Sequence, residues 1–138
     1  MTTSRYRLLA GVMSIEAVTL AVMSSLHFGG LLHPSTDASA GTDAGIAEGI
    51  LCFVLLWGAS GLVRRRGGGR RLALGTTAFT IAGFCLGLSI TARVGDVADV
   101  AYHATMLPIL AATFVLLLRS RDQSSGVTAK PFDRAGRR

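Results

Sequence analysis

Residues 46–71 read IAEGILCFVLLWGASGLVRRRGGGRR, an apolar run from Ile46 to Val63 that breaks into Arg64, Arg65, Arg66, Arg70 and Arg71. A run of this length approaches the roughly 20 residues that a helix rising 1.5 Å per residue needs to cross a 30 Å hydrocarbon core. Three further runs of the same kind lie at Leu8 to Phe28, Leu72 to Ala92 and Ala101 to Leu118. Ten-residue alternation of the barrel type is missing, and an open sheet would leave its edge groups unsatisfied in lipid. The reading is an all-α polytopic membrane protein, a four-transmembrane-helix bundle over residues 1–118. A polar, basic tail over 119–138 is expected to be disordered and to rest on the inner leaflet.

Composition agrees with this reading. Of the 138 residues 50% are hydrophobic and only 16% charged, whereas a soluble domain carries about 25% charged residues. Mean hydropathy is +0.50. Two cysteines exclude a disulfide scaffold, and no Walker, Rossmann, zinc-finger or catalytic-triad pattern is present.

The arginines sort the loops. Arg5 and Arg7 precede the first span, the five arginines between Arg64 and Arg71 join the second to the third, and Arg119, Arg121, Lys130, Arg134, Arg137 and Arg138 follow the fourth. Arg93 alone falls on the other side, where Asp37, Asp43, Asp96 and Asp99 also lie. By the positive-inside rule both termini are cytoplasmic, and the expected location is a bacterial plasma, or inner, membrane. The net charge of +6 therefore reflects topology and contact with anionic lipid headgroups, and nucleic acid is not an expected partner. Ala38-Ser39-Ala40 has the look of a signal-peptidase site, but the preceding apolar stretch is of membrane length, so the first helix is retained.

Depth follows from the rise per residue. His27 closes the first span, Glu48 opens the second about 3 Å below the outer boundary, and His103 opens the fourth at a similar level. Asp99 precedes His103 by four residues and is placed to pair with it along one helix face. Glu16 falls about 12 Å from the inner boundary, near the bilayer centre. It shares a helix stripe with Met13, Leu20, Met23 and His27, and that stripe must face protein. An acidic residue at this depth costs about 2.5–3.5 kcal/mol on insertion scales, so it needs a partner, water or a proton of its own. A facing Ser or Thr that fixes helix packing would suffice.

Glu16, His27, Glu48 and His103 are accordingly the candidate catalytic residues, with Met23, Cys52, Trp57, Asp99 and Tyr102 as candidate ligand contacts. The plain alternative for His27, Glu48 and His103 is that they are partly wet groups anchoring helix ends. In the functional reading they line a cleft open to the outside. That set could ligate a divalent metal through His27, His103 and Glu48, clamp a haem iron between two histidines, or move protons on a lipid-soluble substrate. No spacing selects a cofactor. Gly83 and Gly87 permit close approach within the bundle or between copies in a homo-oligomer. Cys52 and Cys85 reach similar depths on consecutive helices, and if the Gly83 and Gly87 ridge packs on the second helix their thiols cannot meet. Pro108 frees the Ala104 carbonyl below His103, and Trp57, near mid-membrane, suits core packing or a cavity wall.

Glu16, Ser25-x-His27, Ala47-Glu48 and Asp99-x-x-Tyr102-His103, in this order, resemble small four-helix membrane proteins of high-GC actinobacteria. The resemblance covers the spans and implies no catalytic assignment. In helix count the chain is also similar to DoxX-type proteins and to the EXPERA group, whose isomerases use acidic residues inside a helical pocket. The function expected is an outward-facing polar pocket that binds a small hydrophobic ligand or supports a membrane complex, with membrane lipids as neighbours. The alternative is an intramembrane acid–base enzyme of isomerase, cyclase or hydratase type, and the third reading is electron transfer through haem or metal.

Overall fold

The structure, a computed structural model, describes residues 3–32, 38–64, 68–94 and 97–120. Among them are four helices and no strand: α1 (Thr3–Phe28), α2 (Ala38–Val63), α3 (Gly69–Val94) and α4 (Val97–Arg119). Each is long and apolar enough to cross a membrane. Arg65, Arg66, Asp37, Asp96 and the tail beyond Ser120 lie outside the described residues.

Contacts between facing residues set the helices antiparallel in sequence order, and α4 returns to α1 along a thinner seam that closes the ring. The end where α1 finishes and α4 begins is called upper below. The core is a column of Met13, Ala17, Leu20, Leu55, Ala73, Phe84, Leu110 and Leu117, all nearly or wholly buried. Outside it the surface is apolar as well: Leu8, Ile15, Val18, Phe53, Trp57, Phe79, Leu86 and Leu116 are exposed. That reverses the pattern of a soluble bundle, whose outer faces are polar.

Every helix outruns its apolar stretch, α2 by the most. Residues 38–45 are small or polar, yet the helix runs through them, and Gly41 and Gly45 lie beside the end of α1. Gly41 sits over the His27 carbonyl, and Gly45 over the Phe28 ring and the Ser24 carbonyl. The Ser24 hydroxyl donates to the Gly45 carbonyl at 2.7 Å. Hydropathy marks where a helix meets lipid, whereas its hydrogen bonds end only where the chain turns.

Small residues set the helix spacing. A Cβ on Gly69 would overlap the Gly61 carbonyl, and one on Gly58 would overlap the Thr76 hydroxyl. The closest backbone approach is thus at the lower end of α2 and α3. Gly83 and Gly87 act differently: a Cβ on the first would meet the Leu51 side chain, and one on the second the His103 ring. Each glycine is a slot for a side chain of its own chain, one from α2 and one from α4.

The described arginines Arg5, Arg7, Arg64, Arg70, Arg71 and Arg119 gather at the lower end, and Arg93 stands at the upper. Arg70 also caps a neighbouring helix, its Nε and Nη2 donating to the carbonyls of Leu117 and Leu118, each at 2.9 Å. These are among the last carbonyls of α4, which have no partner within the helix.

Gly69→Ala forces α2 and α3 apart and should destabilise the protein by about 1–3 kcal/mol. Gly75→Ala meets nothing within 4 Å and should be neutral or gain up to about 1 kcal/mol. Thermal unfolding of the two variants in the same detergent checks the pair.

Candidate functional site

Two polar levels lie inside the bundle. The deeper one is Glu16 on α1, 2% exposed. The Thr113 hydroxyl of α4 donates to its Oε1 at 2.6 Å. Its Oε2 is buried with no hydrogen-bond partner. The stripe Met13, Glu16, Leu20 and His27 is buried as a unit, with Met23 half-buried beside it. The facing threonine is the partner that the central carboxyl requires.

The upper level gathers side chains from three helices. His27 Nδ1 and Glu48 Oε2 are 2.7 Å apart, both side chains buried. Side chains of a helix lean toward its N-terminus, so on antiparallel neighbours His27 leans down from the end of α1 and Glu48 leans up from within α2. They meet although Glu48 stands ten residues past the start of its helix.

On α4 the pairing of Asp99 with His103 is formed. His103 Nδ1 lies 2.9 Å from the Asp99 carbonyl and 3.2 Å from Asp99 Oδ1. A carbonyl only accepts, so Nδ1 carries the proton and donates to the Asp99 carbonyl, with the carboxylate oxygen close by as an ion-pair contact. The other face of the imidazole rests over Gly87. Phe84 and Tyr102 flank it with centroids 5.1 and 5.6 Å away, and Phe84 and Tyr102 are 5.5 Å apart. The ring has little freedom to turn.

Tyr102 stands between the levels. Its hydroxyl is buried near Thr19 and has no hydrogen-bond partner among the described residues. Thr19 in turn donates to the Glu16 carbonyl at 2.7 Å and touches Met106 Sδ at 3.8 Å. By height along the helices these side chains form a polar column, a succession of groups rather than a hydrogen-bonded chain: His27, Glu48 and Asp99, then Tyr102 and Thr19, then Glu16 and Thr113.

The sequence expectations divide at this point. His27, Glu48, Asp99, His103 and Tyr102 are brought together, Glu16 stands on the deeper level with Thr113, and Cys52 is buried. The upper groups are not partly wet end anchors, since His27, Glu48, Asp99 and His103 are all buried. Of the expected ligand trio, His103 turns to Asp99, and it is Asp99 that groups with His27 and Glu48, one potential ligand atom of each lying within 4.8 Å of the others. With Nδ1 on Asp99 and Nε2 against Gly87, His103 does not suit a haem clamp.

Trp57 joins neither level and is not a core residue. It is 63% exposed and lines a shallow groove of about 360 Å³ with Val54, Arg71, Leu72, Gly75, Thr76 and Phe79. Cys52 is buried and Cys85 exposed, both as free thiols. Sequence reading missed Thr113, Thr19 and Phe84, for which the only signal was a hydroxyl or a ring in an apolar helix.

No protein family, no curated protein and no solved structure matches the chain.

Glu16 and Thr113 should be energetically coupled. Interhelical hydrogen bonds in membrane proteins are worth about 0.6 kcal/mol on average and up to about 1.7. A bond of 2.6 Å to a buried carboxyl should reach the upper part of that range. A double-mutant cycle of Glu16→Leu and Thr113→Val, read by unfolding in detergent, measures it, and additivity of the two changes would show that the contact contributes nothing.

Proposed function

We propose that this chain is a multi-pass protein of a bacterial plasma membrane, with both termini in the cytoplasm, and that its polar column binds a small hydrophobic ligand by that ligand's polar group. One observation carries the reading: Glu16 Oε2 and Glu48 Oε1 are both buried and have no hydrogen-bond partner. An unmet acceptor inside a bundle costs about 1–3 kcal/mol. A ligand donating to these oxygens removes that cost, and its apolar body lies naturally among Met23, Cys52 and Met106. The arginines at the lower end favour that end as the cytoplasmic one, so the upper layer lies on the side of the outer leaflet.

A second reading has its own support. The carboxylate–imidazole contact of His27 and Glu48 is the arrangement by which a general base is oriented. In that case the bound molecule is a substrate, Glu48 and His27 exchange a proton with it, and the column is an intramembrane acid–base site.

The topology predicts that Leu31→Cys, placed in a chain with Cys52 and Cys85 changed to Ser, is labelled by an impermeant maleimide in intact cells. Ser4→Cys in the same background should be labelled only after lysis.

Native mass spectrometry of the gently purified full chain tests the binding role. A retained small molecule lost in Glu16→Gln or Glu48→Gln is the expected result. A wild-type chain carrying nothing, with bound lipid unchanged in both variants, overturns it. Glu48→Gln protein that keeps the molecule but accumulates it unconverted selects the enzyme reading.

A further inference from the structure

Glu48 and Asp99 put two carboxylates in one buried level, beside the imidazoles of His27 and His103. Two carboxylates in so dry a place are costly unless a positive charge joins them.

We propose that His27, Glu48 and Asp99 form a binding site for a divalent first-row transition-metal ion. The inference takes the polar column as a binding site, as above, and names the occupant of its upper level. Two independent observations point to it. The three residues come from α1, α2 and α4, are all buried, and each offers a ligand atom within 4.8 Å of the other two. Separately, Glu48 is 5% exposed, and its Oε1 has a lone-pair oxygen with no hydrogen-bond donor.

The ligand atoms are within reach of one ion. Nitrogen and oxygen ligands about 2.0–2.2 Å from a tetrahedral ion lie about 3.3–3.6 Å apart. Atoms all within 4.8 Å of one another reach that spacing by side-chain shifts of up to about 1.5 Å. One imidazole with two carboxylates suits zinc, manganese or iron rather than magnesium or calcium, which take oxygen ligands. No thiolate belongs to the set.

His103 is a positioning residue here. Its Nδ1–H donates to the Asp99 carbonyl and stands 3.2 Å from the Asp99 carboxylate, while Gly87 and Phe84 fix its ring. Such outer contacts typically change metal affinity by about 10–100-fold. Three protein ligands leave at least one coordination position open, which would receive the polar group of a ligand lying in the column below.

The test uses the full chain in detergent, stripped with a chelator and titrated with zinc. One zinc per chain is expected. Glu48→Gln, Asp99→Asn and His27→Gln should each weaken binding by about 100-fold or more, and His103→Gln by about 10-fold. Changing the exposed residues Asp43 to Asn and Cys85 to Ser should leave it unchanged. Because a ligand variant can fail to fold, the wild-type chain is also loaded with cobalt. Visible d–d bands without a thiolate charge-transfer band are expected.

A thiolate band would place the ion on a cysteine and overturn the assignment. So would absence of stoichiometric zinc, or unchanged affinity in all four site variants. If zinc fails while an organic molecule is retained and lost on Glu48→Gln, the metal inference falls and the binding role stands. If the chain holds neither, both fall.

Discussion

The hydrogen bond from Thr113 to Glu16 joins the first helix to the last, 97 residues apart in sequence, where the seam between them is thinnest. A carboxyl halfway along an apolar helix has no tolerable place against hydrocarbon. It must turn inward, and that fixes which stripe of α1 is buried. Met13, Leu20 and His27 are carried in with it because they share the stripe. Once α1 is so rotated, α4 must present a hydroxyl at the same depth, and this sets its rotation and height as well.

The upper layer depends on that alignment. His27 reaches Glu48 because antiparallel helices lean their side chains toward each other, and Asp99 reaches the same level because α4 begins there. The fit is supported by space as well as by polarity. Gly87 admits the His103 ring, Gly83 admits Leu51, and Gly45 lets α2 lie against Phe28. The glycines of α3 therefore serve the site through side-chain slots, while the tight backbone crossing is at Gly61 and Gly69.

Chemically, the bundle buries carboxyl, imidazole and hydroxyl groups of α1, α2 and α4 behind apolar side chains. This is an arrangement for holding something charged or polar inside a low-dielectric wall, where its interactions are strong. The proposed ligand, the proposed ion and an acid–base reaction all draw on the same property: carboxylate oxygens without donors beside imidazoles whose orientation is fixed.

How much of this the sequence disclosed depends on the range of the forces involved. Four spans, the gathering of arginine at one end and the inward turn of Glu16 follow from local rules, because hydropathy and helical period act over neighbouring residues. The Asp99 and His103 pair was legible for the same reason, being one turn apart on one helix. What occupies the other side of each group was not legible. Thr113 as the partner of Glu16, Asp99 in place of His103 beside His27 and Glu48, Trp57 on the surface, and the extension of α2 to Ala38 all depend on the rotation and height of separate helices. Those are decided by which side chains fit the available glycine slots and which buried oxygens find a donor, and only the packed tertiary structure settles both together.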